Sequence, residues 1–132
     1  MSIEAQAASP LLVDIGVNFH SSQLASMTAP LLARAKAAGV AQILATGTSL
    51  ASSLRAVELA RAHRGLVFAT AGVHPHDAKT FDGATFDRLA ELWACPEVVA
   101  VGECGLDYNR NFSTPEAQRA AFDRQLSMAA RT

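Results

Sequence analysis

The sequence lacks three things that would narrow its class: cysteine clusters, an excess of charge, and long apolar runs. Its two cysteines, Cys95 and Cys104, match no metal-binding spacing, and in a chain without a signal segment they indicate a reducing, cytoplasmic setting. Eleven basic residues against twelve acidic ones exclude a strongly basic nucleic-acid binder of the histone type. That balance does not exclude an enzyme that contacts a few phosphates.

No apolar run approaches the roughly 20 residues of a membrane-spanning helix, so no membrane partner is expected. Residues 1–9 are polar and alanine-rich, without a basic segment leading into an apolar one, and they predict a loose tail and no signal peptide. The 132 residues predict one domain, and their 50% apolar content is enough for a core. A closed β/α barrel of about 250 residues is far longer than this chain.

Short apolar runs alternate with helical patterns along the chain. The predicted strands are residues 11–17, 40–45, 66–71 and 98–101, and the predicted helices are residues 29–38, 51–63, a third segment with an apolar stripe from Phe86 to Trp93, and a fourth from about residue 113 to the end. Continuous apolar strands that alternate with helices predict an α/β fold with a parallel sheet, built from βα repeats. Trp93 and Phe86 are predicted to lie in the core.

Two helix starts can be read from the sequence. Thr28 is a predicted N-cap of the first helix. The fourth helix has two candidate starts, a capping box of Ser113 with Glu116, or Thr114 as N-cap before Pro115. The same helix carries Phe122 and Leu126 as its apolar residues.

Polar residues follow the end of every predicted strand, where parallel α/β folds bind ligands. These residues are Asn18, His20, Ser21 and Ser22 after the first strand, Thr46 and Thr48 after the second, His74, His76 and Asp77 after the third, and Glu103, Asp107 and Asn109 after the fourth. The connections at the other end of the sheet are short and carry nothing comparable. The pattern therefore predicts a ligand site at the carboxyl ends of the strands.

His74 and His76 are either two solvated loop residues or a functional pair. If Pro75 keeps the backbone extended, the two rings project to the same side and converge on a metal or a phosphate. Asp77 could then orient one of the rings.

Glu103 is either an exposed loop acid or a carboxylate that is paired or bound to a metal, and Asp107 is expected nearby. One or two carboxylates together with a substrate phosphate are compatible with Mg²⁺. Asp14, inside the first apolar run, is either a ligand or a buried polar residue with satisfied hydrogen bonds, and the second interpretation is preferred. Nothing indicates a lowered thiol pKa at Cys104, which is therefore not predicted to be a nucleophile.

Three segments, residues 14–18, 71–77 and 101–113, closely resemble the TatD family of metal-dependent deoxyribonucleases. The most specific stretches are Gly-Glu-Cys-Gly-Leu-Asp at residues 102–107 and Gly-Val-His-Pro-His at residues 72–76. The likeness runs from about Leu11 to the last helix. It implies a TIM-type barrel with a divalent-metal site at the strand mouths and hydrolysis of DNA phosphodiester bonds, including exonucleolytic trimming.

The resemblance also implies roles for individual residues. Glu103 matches the family's metal-ligand glutamate, and the metal is expected to be Mg²⁺, with Mn²⁺ or Zn²⁺ as alternatives. The expected substrate-binding residues, with DNA as substrate, are His74, His76, Asp107 and Asn109. Most relatives carry Asp-x-His-x-His after the first strand, whereas this sequence has Asp14, Gly16 and Asn18 there.

Further His and Asp motifs of the family are expected to lie beyond Thr132, so no catalytic residue is assigned within the chain. Residues 10–132 are accordingly expected to form the N-terminal half of a barrel, the first four βα units of a truncated (β/α)8 fold. On its own this fragment is expected to be inactive. The alternatives are a non-enzymatic half barrel that self-associates through its open sheet edges or serves as an interaction module, and a metal-dependent hydrolase of another substrate.

Overall fold

The computed structural model describes residues 11–132, which alternate strand and helix four times. The strands are β1 (Leu12–Val17), β2 (Val40–Ala45), β3 (Val67–Ala71) and β4 (Val98–Val101), and the helices are α1 (Thr28–Ala37), α2 (Leu50–Ala62), α3 (Gly83–Trp93) and α4 (Pro115–Ala129). Short 3-10 helices occupy Ala25–Met27 and Pro75–Thr80. The predicted tail, residues 1–9, lies outside the described residues.

The four strands form one parallel sheet in the order β1-β2-β3-β4. Each strand thus pairs with the next strand of the sequence, through a connection that contains a helix. This sequential parallel order is that of the first four strands of a (β/α)8 barrel, and the predicted α/β fold is confirmed. It brings all four carboxyl ends to one edge of the sheet.

The core lies between the sheet and the helices, and small β3 side chains allow the close approach. Ala69 and Ala71 of β3 are completely buried, as is Leu89 of α3. Trp93 is 8% exposed, and its Nε1–H donates to the Ala71 carbonyl oxygen at 2.8 Å, which satisfies its one polar atom. The prediction of Trp93 as a core residue is confirmed.

The continuous apolar run of the first strand is typical of a buried strand, but this interpretation is wrong. Leu12 of β1 is 52% exposed and Ile15 is 77% exposed, because among residues 11–132 β1 packs mainly on β2 and no helix covers it closely. Asp14 is also exposed, and its Oδ1 accepts from the Gly16 N–H at 3.3 Å, so the interpretation of a buried polar residue is wrong as well.

Helix starts differ from the sequence prediction at one of two positions. Thr28 is not an N-cap but the first residue of α1, and its hydroxyl donates to carbonyls of the preceding turn. At α4 the Thr114 hydroxyl accepts from the Ala117 N–H and Pro115 is the first helical residue. Ser113 does not cap the helix because its hydroxyl is used elsewhere. No helix within residues 11–132 combines the length and apolar character needed to cross a membrane.

Candidate acid and imidazole site at the strand ends

The loops that follow the strands are joined to each other by backbone hydrogen bonds. The Thr46 N–H donates to the carbonyl at the end of β1, Val17, at 3.0 Å. Further along the same edge, the N–H of His74 donates to Thr48 at 2.8 Å, and the N–H of Glu103 donates to Gly47 at 2.7 Å. The loop after β2 therefore holds both segments that carry the predicted site residues.

His74 and His76 converge, but not by the predicted geometry. Pro75 begins the 3-10 helix Pro75–Thr80, so the segment is not extended as expected. The turn places the two imidazole rings 4.3 Å apart in an edge-to-face arrangement. The residues that the sequence singled out are thus brought together by a tight turn that begins with proline at its first position.

His74 pairs with Glu103 and is set up as a hydrogen-bond donor. Its Nε2 lies 3.6 Å from Glu103 Oε1, while its Nδ1 accepts from the His76 N–H at 3.1 Å. A neutral ring that accepts at Nδ1 carries its proton on Nε2. Burial lowers the pKa of His74 below its ordinary value of 6.5, although the charge of Glu103 acts in the opposite direction. The lowered pKa favours this neutral donor form.

His76 is oriented by Asp107. Its Nε2 lies 2.9 Å from Asp107 Oδ2, so Nε2–H faces the carboxylate and Nδ1 of the neutral ring is left as the acceptor. Hydrogen bonds hold the pKa of Asp107 well below its usual range. The bond from the Arg110 backbone N–H has the largest effect, and the bond from the His76 ring has the next largest. The carboxylate that orients a ring is therefore Asp107 rather than Asp77, the residue that the sequence suggested.

Two buried glutamines of α4 fix both loops, and the sequence reasoning missed them. Gln118 accepts from the Asp107 N–H at 2.7 Å and donates to the Ser113 carbonyl at 2.8 Å. Gln125 accepts from the Val73 N–H at 2.8 Å and donates back to the Val73 carbonyl at 3.1 Å, next to His74. Both side chains are at most 1% exposed.

The buried face of α4 is therefore not the one expected from its apolar residues. Leu126 is 49% exposed, and Gln118, Ala121 and Gln125 are buried instead. A signal did exist, since two glutamines seven residues apart with an alanine between them share one helix face. A polar face is ordinarily read as the solvated one, which is why the pattern pointed the wrong way.

Ser113 links the loop after β3 to the loop after β4. Its hydroxyl donates to the His76 carbonyl at 2.8 Å and accepts from the Lys79 N–H at 3.0 Å, and the residue is 3% exposed. These bonds occupy the hydroxyl that the capping-box reading had assigned to the helix. His76 is consequently held from two sides, at its ring by Asp107 and at its backbone by Ser113.

Glycines allow β3 and β4 to approach where the site begins. A Cβ on Gly72 would lie 2.6 Å from the Cα and carbonyl carbon of Gly102, closer than real Cβ atoms come to backbone. Gly102 itself has φ near +149°, which disfavours any residue with a side chain. This contact places Gly72, which precedes Val73, against Gly102, which precedes Glu103.

The remaining candidates lie at the edge of the site or outside it. Asn109 is exposed, and its N–H donates to Asp107 Oδ1, but within residues 11–132 its side chain has no hydrogen-bond partner. His20 Nε2 lies 3.3 Å from Thr48 Oγ1, on the loop whose Thr48 carbonyl accepts from the His74 N–H. Burial, with a further effect of Glu103, raises the pKa of the Cys104 thiol, in keeping with the expectation that it is not a nucleophile.

Within the described part of the chain, no group of three or more His, Cys, Asp or Glu side chains is gathered as a metal site. Glu103 is the more exposed carboxylate of the two pairs, at 52%, and its Oε1 lies 3.6 Å from His74 Nε2. An accessible carboxylate suits a hard divalent cation that also takes water and phosphate oxygens. The geometry therefore fits one part of a cation site, and the remaining ligands would have to come from other groups.

Four sequential parallel βα units with a polar cluster at their carboxyl ends are the arrangement found in (β/α)8 barrels, whose active sites lie at that edge. A family model described as TatD related DNase matches residues 13–132. The chain therefore belongs to the TatD family, as its motifs indicated.

Curated relatives are similar over nearly all of this chain. The chain is 55% identical over 119 residues to the 3'-5' ssDNA/RNA exonuclease TatD of Escherichia fergusonii and 53% identical to that of Escherichia coli K12. Each alignment covers 90% of this chain and 45% of the relative. The chain thus spans somewhat less than half the length of these relatives.

Solved structures give the same result for the fold. The TatD homologue YJJV of Escherichia coli K12 aligns with a TM-score of 0.82 at 28% identity, over 91% of this chain and 47% of its own. A TatD family hydrolase from Entamoeba histolytica aligns with a TM-score of 0.81 at 25% identity, over 92% and 46%. The expectation that the chain corresponds to the first four βα units of a barrel is confirmed by these alignments.

Proposed function

We propose that this chain supplies the phosphate-facing part of a TatD-type, metal-dependent nuclease that hydrolyses phosphodiester bonds of DNA, in the manner of an exonuclease. The observation that carries the proposal is the juxtaposition of the His74–Glu103 and His76–Asp107 pairs at the carboxyl edge of a parallel sheet. The names of the curated relatives, 3'-5' ssDNA/RNA exonucleases, support the substrate class.

Glu103 would hold the divalent cation, Mg²⁺ in the first instance with Mn²⁺ or Zn²⁺ as alternatives, because it is the accessible carboxylate of the site. When bound, such a cation polarises the phosphate and lowers the pKa of a bound water. His74 lies beside Glu103, so a phosphate oxygen that binds near the cation can also accept a hydrogen bond from the His74 ring.

The two imidazoles differ in what they offer a substrate. His74 presents Nε2–H, which can donate to a non-bridging phosphate oxygen. His76 presents Nδ1, which can accept a hydrogen bond or hold a proton, while Asp107 keeps the ring in that orientation. Asn109 follows Asp107 on the exposed side of the loop, where its amide is free to contact a nucleotide.

The test is a graft of residues 13–132 in place of the matching segment of the Escherichia coli K12 exonuclease. Trimming of a fluorescent single-stranded DNA is followed with Mg²⁺ or Mn²⁺. We expect the graft to be active and Glu103→Gln to reduce its rate by at least 100-fold, because the amide loses the negative charge that attracts the cation.

Glu91→Gln is the matched control, since Glu91 is an exposed acid of α3 in an ion pair with Arg88, remote in sequence from the strand ends. It is expected to leave the rate unchanged. A Glu103→Gln graft that trims DNA as fast as its parent would contradict the assignment of Glu103.

The isolated chain is proposed to be inactive, because its described residues gather no group of three metal-binding side chains and Glu103 is the accessible carboxylate of the site. The same DNA assay applied to the isolated chain tests this. Robust turnover that Glu103→Ala abolishes would show that the chain is sufficient by itself.

A further inference from the structure

Two aromatic side chains are exposed beside the site, and they are the only two of the eight aromatic residues that are. Phe112 is 59% exposed and Tyr108 is 45% exposed, within one five-residue stretch after Asp107. Apolar rings at the surface cost solvation free energy, and adjacent exposed ones mark an interaction surface more often than isolated ones do. The surface formed by Tyr108 and Phe112 is called the aromatic rim below.

The backbone that carries the aromatic rim is held in place by polar contacts. Asp107 Oδ1 accepts from the N–H groups of Asn109 and Arg110, and Asn111 Nδ2 donates to the Tyr108 carbonyl at 2.7 Å. Gln118, completely buried under the loop, donates to the Asp107 carbonyl at 3.2 Å. The rings are therefore displayed by an ordered loop, so binding a ligand there costs little conformational entropy.

The rim is continuous with the candidate active site. The Phe112 ring packs edge-to-face on His76, with ring centroids 4.7 Å apart. Lys79 Nζ donates to the Phe112 carbonyl at 3.3 Å, and no carboxylate of residues 11–132 lies within ion-pair distance of it. Phe112 thus lies directly beside His76 of the site, and the Lys79 ammonium group, which has no carboxylate partner among residues 11–132, contacts the Phe112 backbone.

We infer that Tyr108 and Phe112 stack on bases of single-stranded nucleic acid, so that the aromatic rim binds single strands in preference to duplexes. A ring can stack on an unpaired base, whereas the bases of a duplex are already stacked on each other. Lys79 contacts a backbone phosphate of the same strand. The two nearby arginines already form ion pairs, Arg110 with Asp107 and Arg119 with Glu116. Stacking on the two rings, rather than contact of these arginines with phosphate, therefore contributes most of the binding free energy. The inference rests on the proposed function only for the identity of the ligand.

The test measures binding without hydrolysis. The isolated chain in EDTA is titrated with a short single-stranded oligothymidylate, and binding is followed by NMR shifts of the aromatic ring protons. A hairpin duplex and an abasic oligomer with the same number of phosphates are the comparison ligands. We expect upfield ring-current shifts at Phe112 and Tyr108 with the oligothymidylate, and binding to the abasic oligomer that is at least 5-fold weaker.

Variants separate stacking from apolar packing. Phe112→Ala and Tyr108→Ala are each expected to weaken binding by roughly 5-fold to 150-fold, and Phe112→Tyr and Tyr108→Phe to bind within about 2-fold of the parent. Leu126→Ala removes an equally exposed apolar side chain from α4 and is expected to change nothing. Unchanged backbone amide shifts of Asp107 and His76 in each variant show that the loop is intact.

Equal binding of the abasic and thymine oligomers, or alanine variants that bind like the parent, would overturn the inference. The hydrolysis assay of the grafted enzyme reports separately on the proposed function. Stacking that is measured in EDTA together with an inactive graft would leave this inference standing and refute the nuclease proposal. The reverse pair of results would refute the inference alone.

Discussion

The carboxylates of the site act on their imidazoles in different ways. Asp107 is 12% exposed and accepts hydrogen bonds from two backbone N–H groups and a ring, so its charge is fully engaged by the protein. Glu103 is 52% exposed and lies at 3.6 Å from its imidazole, so its charge remains available. One carboxylate organises the loop and the other is left for a ligand.

Asp107→Asn is expected to destabilise the chain in a pH-dependent manner. The pKa of Asp107 in the folded protein is lower than its ordinary value of 3.8, so the ionised group stabilises the fold above that value and this contribution is lost as the pH falls below about 4. Urea unfolding of both proteins at pH 7, 5 and 3 checks this. The difference in unfolding free energy should be largest at pH 7 and should narrow by pH 3.

Asp123→Asn, on the exposed side of α4, is the control for that series and should stay within about 0.5 kcal/mol of the parent at pH 7. A difference for Asp107→Asn that is constant from pH 7 to pH 3 would mean that the carboxylate charge contributes nothing to the fold.

At the scale of elements, α4 connects two loops that belong to different strands. Gln118 binds the loop after β4 and Gln125 binds the segment after β3, so one helix sets the distance between Asp107 and the two histidines. The 3-10 helix Pro75–Thr80 supplies the other constraint, through the contacts of Ser113. The site therefore depends on α4, which contributes no acid or imidazole to it.

Gln125→Leu is expected to cost about 1–3 kcal/mol of unfolding free energy, because it leaves the buried N–H and carbonyl of Val73 without partners. Urea denaturation at neutral pH measures the loss. Ser127→Ala, two residues further along α4 and exposed, should change stability by less than about 0.5 kcal/mol. A Gln125→Leu protein as stable as the parent would show that the Val73 backbone finds other partners.

At the scale of the whole molecule, the chain exposes apolar residues of its first strand. Leu12 is 52% exposed and Ile15 is 77% exposed, on a strand whose second edge is unpaired among residues 11–132. Such an edge is a template for pairing with another chain. Self-association through this edge stays a prediction, as does the cytoplasmic setting, for which the described chain shows only that both cysteines are free.

Ile15→Lys is expected to reduce self-association, because a lysine on an edge strand blocks edge-to-edge pairing. Analytical ultracentrifugation across a concentration series measures the change, and urea unfolding should agree with the parent within about 0.5 kcal/mol. Ala33→Lys adds the same charge to the exposed side of α1 and should leave association unchanged. A parent that sediments as a monomer at every concentration would contradict the self-association alternative.

The sequence by itself determined the order of strands and helices and the identity of the four side chains that pair at the site: His74, His76, Glu103 and Asp107. Strand and helix periodicity are local properties, and so are the family motifs. The tertiary structure decided which acid meets which imidazole, the exposure of β1, the polar buried face of α4 and the display of Tyr108 and Phe112. These depend on which elements become neighbours, because these side chains are buried, paired or left exposed according to residues distant from them in sequence.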